Sequence, residues 1–448
     1  MSEVIKWIIF SLLIVLILIF LYLRNGKLQK DFFLLVFLFQ FSIYVFVAPN
    51  FYSMNLEVER VNVYSTIQFL CLLFYLVPFL FTYFYLTINK ERNFKCEKNE
   101  SSLSKIIITS KCGVIFLFLF ILLILSFIFI YVAINFNLIF KRIGHEALYK
   151  LTNDVPKFLY YPYKIFTELS LFLIVLIYLI KRKTRQKSVY FFSSICLGIY
   201  LISYGGYVII NNRLQTLILF FTLLGFNLIL INKAKLFTRS SLLIILISVY
   251  SLKVVTNIRN NFFDNAGNIQ VTEVFNPFYQ TEYDSNDPLS NRLNGIDLIS
   301  LYYPKMYDKG FAYFDPWIHG IKIYFGSFLN TDYYKNSKEN LSTNSRSIII
   351  KKYLNMDIVD YNQCQLTDIF AVLGPFSLIF ASVFTAYLFF KMINSFYYEK
   401  NIFIILVSIM IIPFALEFEK DFMNLAISWL KYIPIIFMIY KLNIFKIV

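Results

Sequence analysis

The chain has 448 residues, of which 58% are hydrophobic and 20% aromatic, and its mean hydropathy is +0.64. A soluble domain cannot bury so much apolar surface, so the composition excludes the soluble classes and predicts a polytopic membrane protein. The net charge of +15 does not indicate nucleic-acid binding, because the Lys and Arg residues gather in short segments beside apolar stretches, where they mark topology and attract anionic lipid.

Apolar stretches recur along the chain at lengths near the roughly 20 residues that cross the hydrocarbon of a bilayer. Lipid offers backbone groups no hydrogen-bond partner, so these stretches must be helices and the fold class is all-α. We predict about eleven spans, at 4–23, 31–49, 64–89, 113–139, 165–180, 189–210, 214–231, 240–256, 367–390, 402–416 and 423–440. Residues 1–20 lack a basic n-region and a small-residue cleavage site, so we expect the first helix to be retained.

Basic residues predict the orientation of these spans. Half of the 42 Lys and Arg residues lie in six short segments, at 24–30, 90–111, 181–187, 233–239, 391–400 and 441–446. Short basic connections stay in the cytoplasm. We therefore expect a single multi-pass domain, with eight spans in 1–256, a large loop on the outer side at 257–366 and three spans in 367–448. The C-terminus is then cytoplasmic.

The loop at 257–366, which we name the cap, is the one long interval rich in charged, Asn and Tyr residues. Helical spacing predicts a short helix in 292–301. A second helix should begin at Asp315, with that residue as N-cap and Pro316 in the first turn, and a third near 346–354. We expect these amphipathic pieces to rest on the membrane and cover a cavity.

Several arginines face the predicted outer side. Arg213 lies beside Asn212 where two spans meet. Its planar guanidinium could bind a diphosphate in a polar cavity, or it could anchor a helix end at the interface, and the pattern leaves both open. Arg259 and Arg292 follow the eighth span. The alternative for such cations is pairing with neighbouring acidic residues, but the sequence has no Gly-rich nucleotide loop, so a cluster of them suits a pyrophosphate.

The candidate catalytic residues are His319 in the cap and Glu168 in the fifth span. His319 could act as a general base or bind sugar, with Trp317 or Tyr313 as a stacking face, or it could be structural. Glu168 could instead neutralise an arginine. The five cysteines show no disulfide or metal-site spacing, and no metal motif is present, so we expect neither a metal nor a cofactor.

The order of these features resembles the Wzy-type O-antigen polymerases. The resemblance covers most of the chain in layout and is carried by Asn212-Arg213-Leu-Gln-Thr, by Arg292-Leu-Asn-Gly-Ile-Asp in the cap, and by Thr367-Asp-Ile-Phe-Ala-Val-Leu-Gly-Pro-Phe-Ser. It implies a GT-C-like membrane glycosyltransferase. It also implies that Arg213 and Arg292 bind the diphosphate of an undecaprenyl carrier, with Arg259 and Arg346 in support.

By this resemblance, a growing glycan leaves its undecaprenyl diphosphate and joins the non-reducing end of a new lipid-linked repeat. A regulator of chain length is the expected protein partner. The related ligases carry a His-Asn pair before a Gly-x-x-small motif, where this chain has Gln363 and Cys364 ahead of Gly374. That departure argues against a ligase and leaves Gln363 as a substrate-binding candidate. The alternative of a lipid-linked oligosaccharide flippase is disfavoured by the long cap and the absence of an internal repeat.

Overall fold

Helices make up most of the described chain in the computed structural model. The structure describes residues 11, 13–14, 16, 30–53, 58–93, 101–136, 155–211, 213–231, 294–329, 331–339, 345–356, 364–418 and 422–447. In chain order the elements are α1 (Phe32–Ser42), α2 (Ala48–Ser53), α3 (Val58–Cys71), α4 (Val77–Asn93), β1 (Ile106–Ile108), α5 (Cys112–Asn135), α6 (Lys157–Lys183), α7 (Lys187–Asn211), α8 (Arg213–Ile231), α9 (Asp297–Tyr302), α10 (Met306–Lys309), α11 (Asp315–Leu329), α12 (Asp332–Glu339), α13 (Ser345–Ile349), α14 (Leu366–Leu373), α15 (Pro375–Tyr398), α16 (Ile402–Ala415), α17 (Phe422–Lys441) and β2 (Phe445–Ile447). Wider π-helical turns follow α1, α3 and α13, at Ile43–Val47, Leu72–Leu76 and Ile350–Leu354.

Six helical stretches are long and apolar enough to cross a membrane. They are Phe32–Asn50, Arg60–Asn89, Cys112–Asn135, Lys157–Lys183, Lys187–Gly205 and Pro375–Tyr398. Three shorter apolar helices, Ile218–Leu230, Ile402–Ile412 and Tyr432–Lys441, coincide with three more predicted spans. The predicted spans 4–23 and 240–256 lie outside the described helices, so the count of eleven stays a prediction, while the helical membrane class is supported.

The predicted ninth span, 367–390, is not one helix. α14 ends at Leu373 and α15 begins at Pro375, with Gly374 between them at a φ of +61°. Glycine adopts this left-handed conformation without steric cost, and the following proline has no N–H to continue the helix. A Cβ at Gly374 would also lie 3.0 Å from the ring of Phe311. The chain therefore turns here, and the membrane-length helix is α15 alone.

The first compact unit comprises residues 1–98, 287–393 and 414–432, and an aromatic core surrounds its helix α1. The ring of Phe37 lies 5.4 Å from Phe79, 4.9 Å from Phe389 and 5.7 Å from Phe418. Aromatic pairs at these separations add to the free energy of burial. Because α1 is buried on most sides, it is a central helix of this unit.

The second unit comprises residues 99–286, 394–413 and 433–448, and α5, α6 and α7 pack together at its centre. The ring of Phe166 on α6 lies 4.4 Å from Phe129 and 5.0 Å from Tyr200. The opposite face of α5 is exposed and apolar, at Leu117, Phe120, Ile121, Ile124, Phe127, Tyr131 and Ile134. A continuous apolar face at helical spacing is expected where a helix meets lipid.

The all-α prediction omitted a small antiparallel sheet in this unit. β1 pairs with β2 in the register Ile106 to Ile447, Ile107 to Lys446 and Ile108 to Phe445. The strands have three residues each, and their pairing depends on a segment far away in sequence. A local apolar pattern could not predict it.

The described part of the cap folds as short helices packed on one another. α11 contacts α12, α13 and α14, and α9 contacts α14 and α3. The predicted helix near 346–354 is confirmed as α13 with its π-helical continuation. The helix predicted at Asp315 is also confirmed, although Asp315 is its first helical residue rather than its N-cap.

Backbone bonds fix α14 against the loop that precedes α11. Ala312 N donates to Ala371 O at 2.9 Å, and Tyr313 N donates to Val372 O at 3.1 Å. α14 therefore belongs with the cap helices in its packing.

Candidate functional site

The candidate site is the cluster of polar side chains on α11 to α14. His319 projects from α11 and is only 4% exposed. Its Nδ1 lies 2.6 Å from the hydroxyl of Tyr333 on α12. Tyr333 is 42% exposed, so it is the member of the pair that a substrate can reach.

Burial raises the pKa of the Tyr333 phenol above its ordinary value. The phenol is therefore neutral at physiological pH and can donate its proton to Nδ1 of His319. In that arrangement Nδ1 is the acceptor and the imidazole proton lies on Nε2. The pair can shift a proton between an outer oxygen and a buried nitrogen, which is the elementary step of general acid–base chemistry.

Trp317 is fixed by a buried carboxylate. Its Nε1 donates to Oδ2 of Asp368 at 3.0 Å, and Asp368 is 1% exposed. The same carboxylate accepts the backbone N–H groups of Phe422 at 3.1 Å and Met423 at 3.0 Å, at the start of α17. A negative charge at a helix N-terminus satisfies unpaired donors and the helix dipole. Trp317 is thus part of a structural latch between α11, α14 and α17.

The other predicted stacking residue, Tyr313, remains available. It is 58% exposed and has a φ of +49°. A bulky residue in the left-handed region is strained, and such strain concentrates at functional sites. Tyr313 is held there by its backbone bond to α14, so it presents an aromatic face beside α11.

A second polar cluster lies where the cap meets α3. Asp297 accepts a hydrogen bond from the hydroxyl of Tyr64, and Nη2 of Arg60 lies 3.4 Å from its Oδ1. Nδ2 of Asn294 donates to the hydroxyl of Tyr64 at 3.0 Å. The Arg60 side chain is 35% exposed, so its guanidinium is both oriented by a carboxylate and open to solvent on one side.

Asn294, Gly295 and Asp297 all belong to the predicted Arg292-Leu-Asn-Gly-Ile-Asp motif. Gly295 N donates to Tyr44 O at 3.0 Å, and a Cβ at Gly295 would lie 2.8 Å from that of Cys364. The motif therefore packs directly against Tyr44 and Cys364. Only glycine at position 295 allows the backbone to approach them this closely.

Cys364 is the second residue of the Gln363-Cys364 pair in the sequence. It is fully buried, and its backbone N donates to Oγ1 of Thr367 at 3.1 Å. Burial raises the pKa of its thiol to about 12. The thiol stays protonated at physiological pH and cannot serve as a general base there.

The structure brings some predicted site residues together and separates others. Arg346 lies on α13, which packs against the helix that carries His319. Glu168 lies on α6 in the second unit, where its Oε1 is 3.9 Å from Nζ of Lys164. Arg213 begins α8, and its side chain is outside the description. Asn212, Arg259, Arg292 and Gln363 also lie outside the described residues.

Sequence reasoning missed Tyr333, Asp368 and Arg60. Tyr333 is one tyrosine among 34, and its partner is 14 positions away on another helix. Asp368 was visible as an acidic residue beside a predicted span, which is a signal for a polar role. Arg60 stood four positions before the predicted third span and could have been weighed with the other outer arginines.

Comparison with known proteins gave no match, whether against protein-family models, curated proteins or solved structures.

Proposed function

We propose that this protein is a membrane glycosyltransferase that polymerises undecaprenyl-diphosphate-linked oligosaccharide repeats at the periplasmic face of a bacterial inner membrane. The observation that carries the proposal is the His319–Tyr333 pair, whose helix α11 packs against the helix α13 that carries Arg346, in a chain with helices of membrane length. Glycosyl transfer from a lipid diphosphate needs two groups. A base accepts the proton of the acceptor hydroxyl, and a cation stabilises the charge of the departing diphosphate.

In the proposed reaction, the bond between the anomeric carbon and the diphosphate oxygen breaks. A bond forms from that carbon to a hydroxyl oxygen of the incoming repeat. The hydroxyl proton passes to the oxygen of Tyr333 as the phenol proton moves to Nδ1 of His319. Arg346 stabilises the negative charge of the departing diphosphate. Arg213 and Arg292 are the further diphosphate ligands that the resemblance to the polymerases implies. No nucleotide is required, because the diphosphate linkage supplies the driving force.

Tyr313 supplies an aromatic face for a sugar of the repeat in this proposal. Its exposure and fixed backbone suit stacking against a pyranose ring. Trp317, whose indole N–H is bound by Asp368, holds α11 in place and acts on the site through that helix.

The test is the surface polysaccharide of cells that lack the native gene and carry a variant. Wild-type protein should restore a ladder of chain lengths. His319→Ala and Tyr333→Phe should leave a single repeat on the lipid core, because repeats still cross the membrane but are not joined. The control is Lys335→Ala, which removes an exposed ion pair with Asp332 on the same helix as Tyr333 and should keep the full ladder.

Membrane levels and thermal unfolding of each variant separate lost chemistry from lost folding. Arg213→Ala and Arg292→Ala, assayed in the same cells, test the proposed diphosphate ligands. A full ladder from well-folded His319→Ala and Tyr333→Phe would rule out the proton relay. Loss of even the single repeat would contradict the polymerase and favour a flippase or a ligase.

A further inference from the structure

The outward face of α11 is apolar as far as Phe325. Phe314, just before the helix, and Ile318, Ile321 and Phe325 on it are 52%, 47%, 40% and 57% exposed. Their spacing of four, three and four positions places them on one side of the helix. The inward side carries His319 and Gly320, which are buried.

A helix on the surface of a soluble protein buries its apolar stripe and exposes its polar residues. α11 does the reverse, because its apolar stripe is exposed. A contiguous exposed apolar patch marks an interaction surface. α11 cannot cross a bilayer, since it has 15 residues and a span needs about 20. The helix also carries Asp315 and Lys322 among its exposed residues.

The apolar face of α11 continues onto a helix of membrane length. α15 has 24 residues with a mean hydropathy of 1.8 in its most apolar stretch, and it exposes Phe376, Phe380 and Phe384 at 64%, 74% and 49%. A chain of rings joins the two helices: the ring centroids of Trp317 and Phe422 are 5.9 Å apart, and those of Phe422 and Phe384 are 6.1 Å apart.

The edges of this surface carry amphipathic residues. Tyr313, which directly precedes Phe314, is 58% exposed, and tyrosines concentrate at the boundary of a bilayer, where the ring is in apolar surroundings and the hydroxyl is wet. Nζ of Lys322 lies 5.4 Å from the ring centroid of Tyr333, and a long basic side chain can reach the headgroups from such a position.

We propose that α11 lies in the plane of the membrane, with Phe314, Ile318, Ile321 and Phe325 covered by lipid acyl chains near the headgroups. We choose lipid because the apolar face of α11 continues onto that of α15. Acyl chains that surround α15 would then cover the exposed face of α11 as well. The opposite side of the helix carries His319, so the candidate site lies at headgroup depth. This assignment does not depend on the polymerase proposal, although a lipid-linked diphosphate would be found at that depth.

The test places an environment-sensitive fluorophore on single cysteines. Ile318→Cys, Ile321→Cys and Phe325→Cys are made in a Cys96→Ala, Cys112→Ala background, because the other three cysteines are buried. The purified full chain is reconstituted in vesicles of phosphatidylethanolamine and phosphatidylglycerol that contain a phospholipid with a spin label high in its acyl chain. Phe380→Cys is the lipid reference, and Asp332→Cys, whose carboxylate is 93% exposed, is the water reference.

Labels at the three α11 positions should show blue-shifted emission and should be quenched several-fold more by the spin-labelled lipid than the label at position 332. Iodide in the water should quench them several-fold less than that label. Quenching by iodide equal to that at position 332 would overturn the proposal. Protection from both quenchers would overturn it too, since a second copy or another protein would then cover the face.

Discussion

Two buried carboxylates in the first unit hold the cap in different ways. Asp368 accepts the indole N–H of Trp317 and two backbone N–H groups at the start of α17. Asp297 is held by side chains of α3, through the hydroxyl of Tyr64 and the guanidinium of Arg60. Both are at most 6% exposed, but Asp368 accepts two backbone N–H groups, whereas Asp297 is bound by the side chains of Tyr64 and Arg60.

The two carboxylates differ in which hydrogen-bond donors lose their acceptor when the carboxylate is replaced. Around Asp368, the backbone donors cannot move away without unwinding the first turn of α17. Around Asp297, the Arg60 side chain is 35% exposed and can turn toward solvent, while the buried hydroxyl of Tyr64 loses one acceptor. Leaving a buried donor unpaired costs more than releasing a partner to water. The Asp368 latch should therefore be the more sensitive of the two.

The largest expected effect is that of Asp368→Ala. It leaves three partly buried N–H donors without this acceptor and should lower the free energy of unfolding by about 3–5 kcal/mol. Thermal unfolding in detergent measures it. Asp332→Ala, which removes an exposed carboxylate near α11, is the control and should melt like wild type. Equal melting temperatures for the two variants would mean that Asp368 does not hold the latch.

A medium effect should come from Gly295→Ala beside Asp297. The added Cβ would lie 2.8 Å from Cys364 Cβ and 3.1 Å from Tyr44, so the variant should lose about 1–3 kcal/mol through overpacking. Gly320→Ala is the matched substitution beside the Asp368 latch, because its nearest side-chain atoms, on Met423 and Ile427, are 3.5 and 3.8 Å away. It should be neutral or gain up to about 1 kcal/mol from helix propensity. If Gly295→Ala melted at a higher temperature than Gly320→Ala, the predicted difference in packing around the two glycines would be wrong.

The smallest expected effect is the coupling between Arg60 and Asp297. A double-mutant cycle with Arg60→Gln and Asp297→Asn should give about 1 kcal/mol, because one partner is half-buried and the other buried. The control cycle uses Lys335 and Asp332, whose atoms lie at a similar 3.5 Å but are exposed. That coupling should be about 0.3 kcal/mol. Equal couplings in the two cycles would show that burial does not strengthen the Arg60 pair.

Local signals were enough to predict much of the helical structure. Asp315 followed by Pro316 predicted the start of α11, and the apolar stretches predicted α5 and α7 to within a few residues. Such features depend on neighbours one to four positions apart, which a sequence displays directly. The break at Gly374 was also visible as a Gly-Pro pair, but the apolar residues on both sides concealed it.

The contacts that define the candidate site could not be predicted in the same way. Trp317 reaches Asp368 across 51 positions, and Asp297 reaches Tyr64 across 233. No periodicity connects residues so far apart, and each residue type also has common structural roles. Sequence reasoning therefore selected His319 and Trp317 as polar residues of interest, but it could not distinguish the proton-transfer pair from the latch.

The two short strands also constrain how the protein is made. Beside them, Oγ1 of Thr109 donates to the carbonyl of Asn443, 334 positions further along the chain. At about 5–20 residues per second of synthesis, β1 exists for tens of seconds before β2 has left the ribosome. During that time its unpaired edge can bind any other extended segment. The closing of this sheet is consequently a late event in biogenesis, because it must wait until nearly all of the second unit has been synthesised.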